Sequence, residues 1–402
     1  MWEQIRSNQV RSGVLTFSMC LLLLAVGYFF GLYFLGSPIG GLVIAFIVWV
    51  IMSLVAYFEG DSIFLAMSQA KKISRDDYPR LYNIVEEMKI ASGLEKMPDI
   101  YIIDDPALNA FATGRDPNRA ALAVTSGLLQ KLNRDELQGV IGHEIAHIKN
   151  RDVLLMVMAG ILLGSIVILA WYASRIMFYS GMGGGGGRRS SRSGGGQGQA
   201  ILALIGIILM ILAPIAAQLI YFAISRRREY LADASSALYT RYPEGLASAL
   251  EKLSTSNTQV RTANKATAPM YTINPFQKQG MSIEDLTSTH PPIAERIRIL
   301  RSMVGASYAD YEQAYEQAKK SKLIPATALV GVEKVEARAP QPEPVLDEKL
   351  EKVARTRETS QVLWNLSGYR AIDCPCGARL RVPPNYQANA VRCPHCGRVH
   401  QV

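Results

Sequence analysis

A chain of 402 residues has room for two or three domains, and 49 % hydrophobic residues with a positive mean hydropathy is more apolar weight than a purely soluble chain of this length carries, so part of it belongs in lipid. The net charge of +9 points to anionic partners, either lipid headgroups or nucleic acid. Of the five cysteines, Cys20 sits in an apolar stretch and the other four form two close pairs near the C-terminus, which excludes a secreted disulfide framework and fits a reducing compartment.

No charged side chain occurs from Val14 to Phe58, and Gly36, Ser37, Pro38 and Gly40 divide this run into two spans of about 20 residues each, a tight transmembrane hairpin in residues 1–60. A cleaved signal peptide is the rival reading of the first span; its apolar stretch is too long, and a second span follows at once. Residues 61–152 form the first part of a folded domain. Leu81, Ile84, Val85 and Met88 recur at helical spacing within Asp76–Gly93, and Asp99–Ile103, Ala110–Thr113 and Ala120–Thr125 read as short strands. Asn133, with Glu136 three residues on, is a capping pair for a helix through Leu137, Val140, Ile141 and Ile145.

Val153–Ser174 and Ala200–Ser225 are again free of charge, with Pro214 as a kink, and predict a second hairpin over 153–224. Its connection, 181–199, is a Gly/Ser/Arg stretch without apolar surface to order it. Residues 225–324 resume the folded domain with helical patterns at Glu244–Leu253, Pro292–Arg301 and Tyr308–Lys320, the last explained by a solvated face. From 325 to 367 the Pro/Glu/Lys/Ala/Arg composition predicts a flexible linker, and 368–402 a small separate module. Arg6 and Arg11, Lys71, Lys72 and Arg75, and Arg226, Arg227 and Arg228 flank the spans so that both termini and the folded domain fall on the cytoplasmic side of a multi-pass protein of the cell inner membrane. Arg188, Arg189 and Arg192 oppose this assignment, and a shallow or re-entrant second pair stays open.

The chemistry centres on Gly142-His143-Glu144-Ile145-Ala146-His147. Histidines at i and i+4 share one helix face and can hold one zinc ion, with Glu144 beside them as general base toward water. All five histidines fall within candidate motifs: this pair, His290 in Thr289-His290-Pro291-Pro292, and His395 and His400 among the C-terminal cysteines. A catalytic zinc needs a third protein ligand. His147 precedes the third span by about 9 Å of helix and Glu229 follows the fourth by about 6 Å, so a hairpin of those spans brings both to similar heights. An ordinary juxtamembrane salt bridge with the neighbouring arginines is the competing reading of Glu229. Asp233, one turn on, is a natural acceptor for a ligand histidine N–H, and Asp152 a weaker candidate for the same task.

Asn109-Ala110-Phe111-Ala112-Thr113-Gly114, the H-E-x-x-H helix running into a span, Arg228-Glu229-Tyr230-Leu231-Ala232-Asp233, and Thr289-His290-Pro291-Pro292 with Glu295-Arg296, in this order over roughly 70–300, resemble the HtpX family of membrane zinc peptidases. The resemblance implies a mainly α membrane protein with four transmembrane helices and an α+β gluzincin-type metallopeptidase domain. It implies a zinc-dependent endopeptidase, with zinc held by His143, His147 and Glu229 and Glu144 as base, that cleaves misfolded or damaged membrane proteins in quality control. It also implies that Asn109, Ala110, Phe111 and Ala112 form a strand edge on which substrate lies extended. His290 and Arg296 match the later motif, one of them steadying the tetrahedral oxyanion or organising the site.

Cys374-Pro375-Cys376-Gly377 and Cys393-Pro394-His395-Cys396-Gly397 resemble a zinc ribbon, predicting a second, structural zinc on Cys374, Cys376, Cys393 and Cys396. The first pair is C-x-C where ribbons more often carry C-x-x-C. Expected partners are unfolded or membrane protein substrates and the lipid bilayer; nucleic acid is not expected, and the sequence does not specify the oligomeric state. Two other function classes stay open at this level: a catalytically silent membrane zinc scaffold recruiting partners through the ribbon, against which the intact Glu144 argues, and a membrane-tethered nucleic-acid binder, which rests on the ribbon and the basic charge alone.

Overall fold

In a computed structural model, the structure describes residues 2–154, 156–157, 175, 215, 226–256, 258–262, 271–273, 290–331, 333–341 and 348–402. The expected second hairpin and its glycine-rich connection lie almost wholly outside the described residues, as do 342–347 of the expected linker.

Helix α1 (Trp2–Phe30) runs into a π-helical turn, Gly31–Leu35, that Gly36 closes in the left-handed region (φ +65°). Ser37 then caps α2 (Pro38–Met67), its hydroxyl accepting the Gly40 N–H. The two helices touch through small residues: a Cβ on Gly41 would lie 2.1 Å from the Gly27 carbonyl oxygen. Such close backbone approach is how helices associate in lipid, where burial of apolar side chains supplies no drive. Outside this contact, Ile39, Val43, Phe46, Ile47, Ile51 and Leu54 of α2 turn outward and are about half exposed or more. Among the described residues α2 is the one helix long and apolar enough to cross a membrane; the apolar part of α1, Thr16–Phe30, is shorter. The hairpin also extends past the expected boundary at 60, because Phe64 and Leu65 in the last turns of α2 are buried in the core of the folded domain. Membrane segment and domain therefore share one continuous helix.

A four-stranded sheet follows, in the order β1-β2-β4-β3. β2 (Asp99–Ile103), β3 (Ala110–Gly114) and β4 (Ala120–Thr125) sit where the sequence places them; β1 (Lys71–Ile73) does not, since its basic residues read as membrane-flanking charge. β1 pairs antiparallel with β2, β2 parallel with β4, and β3 antiparallel with β4, leaving β3 at an edge. α3 (Pro79–Ser92) buries the expected Leu81, Ile84, Val85 and Met88, and α4 (Ser126–Lys131) follows β4 directly. α5 (Arg134–Lys149) opens with the expected capping box: Asn133 Oδ1 accepts the Glu136 N–H at 2.9 Å, and Glu136 Oε2 accepts the Asn133 N–H at 2.9 Å. Every residue from Asp135 to Ile148 is buried, so α5 is the axis of the domain. The helix α6 (226–240) and α7 (Pro243–Ser254) pack around it. A Cβ at Gly139 would meet the Leu246 backbone nitrogen at 2.6 Å, so α5 and α7 approach this closely only because position 139 has no side chain. α8 (Ile293–Arg301) and α9 (Tyr308–Lys319) complete the layer.

Two expectations need correction. α9 is not a solvated helix, because Tyr311, Ala314 and Tyr315 are buried against the core. Nor is 325–367 a flexible linker. It contains a short α10 (Ala326–Leu329), an extended strap over 333–341 and a 19-residue α11 (Glu348–Leu366). Low apolar content hid these contacts, since polar groups carry most of them. Arg338 donates to Asp135 Oδ1 at 2.6 Å, Gln138 Oε1 at 2.9 Å and the Thr240 carbonyl at 2.9 Å, and the Gln341 N–H reaches Asp135 Oδ2 at 3.0 Å. On α11, Thr359 is fully buried with its hydroxyl 3.2 Å from the Tyr78 hydroxyl, and Val362 joins the main core. Two hairpins close the chain, β5 (Arg370–Asp373) with β6 (Arg379–Val382) and β7 (Ala390–Arg392) with β8 (Val399–Gln401).

Replacing Arg338 by Ala leaves buried acceptors on α5 and α6 without their donor, so we expect a loss of about 1–3 kcal/mol. Thermal unfolding of the detergent-solubilised protein, compared with parent, reads this as a lowered Tm; an unchanged Tm would mean that the strap does not brace the domain.

Candidate metal centre and active site

α5 supplies His143 and His147 one turn apart, and α6 crosses it to supply Glu229. The crossing is fixed in part by Ser236, whose hydroxyl donates to the Gly139 carbonyl at 2.7 Å, and by the bare Gly142 beneath it. All three site residues are buried. The His143 and His147 Nε2 atoms are 3.2 Å apart, and Glu229 places Oε2 3.5 Å from the first and Oε1 3.4 Å from the second.

Each ring is held from behind by a carboxylate. Asp233 Oδ1 lies 2.9 Å from His143 Nδ1, and Asp152 Oδ2 lies 3.2 Å from His147 Nδ1. With Nδ1–H donated rearward, Nε2 of each ring is the atom left to face the centre. Burial opposes the charged form, but the carboxylates on both sides outweigh it and raise the pKa of His143 and, to about 10, that of His147. Arg296, fully buried, grips Asp233 with Nη2 at 2.6 Å and Nε at 2.8 Å, and its Nη1 lies 3.4 Å from Glu229 Oε2. Burial alone would push the Asp233 carboxyl up; the Arg296 guanidinium and the His143 ring overcome it and hold it below the usual carboxylate range. Burial acts on Glu229 in the same sense, and the surrounding histidines, His290 first, hold it well below its ordinary value. The Arg228 Nε lies 3.6 Å from Asp152 Oδ1. His290 enters from just before α8, with Nε2 3.9 Å from Glu229 Oε2. Burial drives its pKa down, and the Glu229 carboxylate opposes that shift.

This arrangement suits a cation. Two ring nitrogens and a carboxylate converge in a buried interior, and Glu229 Oε2, apart from its ion pair with Arg296, accepts no hydrogen bond among the described residues. Donor separations of 3.2–3.5 Å match the edge of a tetrahedron with metal–ligand bonds of about 2.0–2.1 Å. Glu144, on the same helix and buried, puts Oε1 2.7 Å from the Thr272 hydroxyl.

Thr272 is the site residue that sequence reasoning missed. It belongs to no motif, and three residues placed far along the chain carry no local signal. The segment 271–273 lies along the outer edge of β3, with the Thr272 N–H donating to the Ala110 carbonyl at 2.9 Å. Of the four residues expected to form a substrate edge, Asn109 turns its carbonyl inward, accepting the Thr125 N–H at 3.0 Å, and the side chain of Phe111 packs edge-to-face on Tyr271. Ala110 and Ala112 remain as the residues whose backbone faces outward, by the alternation of an antiparallel pair.

The four C-terminal cysteines also converge, Cys374 Sγ 3.4 Å from Cys396 Sγ and Cys376 Sγ 3.7 Å from Cys393 Sγ, all as free thiols. Each pair lies on a tight turn: Gly377 and Gly397 adopt φ of +84° and +77°, and their N–H groups return to the carbonyls of Cys374 and Cys393. These sulfur spacings fit a tetrahedral ion with Zn–S bonds of about 2.3 Å, and the C-x-C spacing of the first pair does not prevent the cluster.

Comparison with known proteins agrees with this geometry. The model of Peptidase family M48 matches residues 76–304. A protease HtpX homolog of Dictyoglomus turgidum (strain DSM 6724 / Z-1310) is 45 % identical over 302 residues, covering 75 % of this chain and 94 % of that protein. One of Streptococcus gordonii (strain Challis) is 41 % identical over 304 residues, covering 75 % of this chain and all of that protein. The crystal structure of S. mikatae Ste24p is 20 % identical with a TM-score of 0.40, covering 75 % of this chain and 67 % of that one. With two α5 histidines, the α6 glutamate and a buried α5 glutamate assembled inside the matched region, the chain belongs to Peptidase family M48 and is an HtpX-like, membrane-associated metallopeptidase.

Proposed function

We propose that the protein is a zinc-dependent endopeptidase of the cell inner membrane, cleaving unfolded or damaged membrane proteins in quality control. The observation that carries the peptidase chemistry is the buried convergence of His143, His147 and Glu229 with Glu144 on the same helix. Zinc bound there supplies Lewis acidity toward a carbonyl and a lowered pKa for water. Glu144 takes the proton from the attacking water and returns it to the leaving amine. His290, a buried ring at the rim of the ligand set, faces the developing oxyanion. Arg296 acts at one remove: its two bonds to Asp233 fix that carboxylate, which fixes the His143 ring. Substrate lies extended along the β3 edge, so recognition through backbone groups accepts many sequences.

In this reading four transmembrane helices anchor the domain, 1–60 and 153–224, with 61–152 and 225–324 as the two parts of the peptidase, and both termini and the active site are cytoplasmic. The outward apolar face of α2 and the basic residues flanking the spans support it. The module 368–402 carries a second, structural zinc and offers a docking surface for protein rather than nucleic acid. A silent scaffold would have no use for Glu144 beside the ligands.

Glu144→Gln in detergent-purified protein should retain zinc and cleave casein about 10²–10⁴-fold more slowly; cleavage at the parental rate would sink the assignment of the base. Asp233→Asn should weaken retention of the catalytic zinc about 10–100-fold, read as faster loss to a chelator. Metal analysis should find two zinc ions per chain and one in Cys376→Ser/Cys396→Ser, and lowering the pH should release the catalytic ion, since protonated imidazoles cannot ligate and the flanking carboxylates favour the protonated form of both rings.

A further inference from the structure

The substrate edge beside Glu144 is already occupied by the chain itself. The outward carbonyl of Ala110 accepts the Thr272 N–H at 2.9 Å and has the Thr272 hydroxyl at 3.0 Å. The outward Ala110 N–H is taken as well, by Asn109 Oδ1 at 3.1 Å. That same side chain fixes the next residue, donating from Nδ2 to the Ile273 carbonyl at 3.1 Å and accepting the Ile273 N–H at 3.4 Å. Arg296 Nη1 donates to the Thr272 carbonyl at 3.3 Å, Tyr271 stacks edge-to-face on Phe111 with ring centroids 5.3 Å apart, and the Thr272 hydroxyl stands 2.7 Å from Glu144 Oε1. All three residues are buried.

We propose that Tyr271–Ile273 is a built-in strand that fills the substrate rung at Ala110 and engages Glu144, and that an extended segment of unfolded polypeptide must displace it to be cleaved. The inference rests on the peptidase reading and goes beyond it by assigning the closed state. A polypeptide cannot pair with a carbonyl whose donors are in place, and the Thr272 hydroxyl competes with water for one of the two Glu144 oxygens. Displacement exchanges like for like: an incoming backbone offers Ala110 the same N–H that Thr272 gives it, so the net cost of that rung is small. Ala112, the next residue on β3 whose backbone faces outward, is the next rung that an extended chain would meet. Side-chain identity matters little to such an exchange, while a folded protein has no free extended segment to offer. The strand therefore selects for unfolded chains.

The test uses full-length Glu144→Gln, zinc-loaded, in detergent, with labelled casein as the unfolded polypeptide. Amide hydrogen exchange of peptides covering 271–273 is compared with and without saturating casein. The expected result is slow exchange at rest and at least a several-fold gain on binding. Casein that is cleaved by the parent without any gain of exchange in Glu144→Gln overturns the built-in strand while the peptidase reading stands. No cleavage by the zinc-loaded parent sinks the peptidase reading and this inference with it. Thr272→Val keeps the N–H and removes the hydroxyl from Glu144; a several-fold gain in kcat/KM is expected, whereas a lower kcat at unchanged KM would make Thr272 a positioning residue for the base and overturn the proposal.

Discussion

Two ring nitrogens and a carboxylate are held 3.2–3.5 Å apart in a buried interior, a set that a cation can join, and most of the domain is arranged to hold them there. The two histidines are fixed by carboxylates, those carboxylates by arginines, and the arginines are themselves out of solvent. Removing one member of such a chain strands the next as an unpaired buried charge, which is why the network reaches from α5 through α6 to α8. Tyr230 extends it once more, donating to Glu295 on α8 at 2.5 Å, and Lys319 of α9 pairs with the same carboxylate at 2.8 Å.

The sheet and the end of α2 pack against each other beside this centre. β3 lies at the sheet edge and packs on α5, the helix that carries Glu144. α2 leaves the hairpin and continues without a break until Phe64 and Leu65 reach the core. The helix that packs in the hairpin and the domain that carries the metal centre are thereby joined without a flexible connection.

The residues beyond 304, where the family match ends, add a brace. Arg338 and Gln341 tie the first turn of α5 to the end of α6, and α11 lies against α3 and α4 through Thr359 and Val362. Where α11 ends, Lys71 donates to the Ser367 hydroxyl at 3.2 Å, so the cysteine module begins close to β1, a few residues after α2. The module thus follows directly on a helix packed on the catalytic domain.

Much of this was legible in the chain itself, wherever the information is local. The capping box at Asn133, the buried stripe of α3, the three strands β2 to β4 and the i, i+4 histidines follow from spacing and side-chain type, because a helix or strand turns sequence distance into direction. The choice of Glu229 was reachable because the two charge-free runs between His147 and Glu229 are of similar length, which places both residues at comparable distances from the run ends. Tertiary structure decided the rest. The strap at 333–341 and α11 have too little apolar periodicity to announce their packing, since arginine, glutamine and threonine make the contacts. β1 is three residues long and basic, and only its partner β2 makes it a strand. Thr272 carries no motif, and its place between Ala110 and Glu144 arises when segments more than 120 residues apart come together, a pairing that no local pattern encodes.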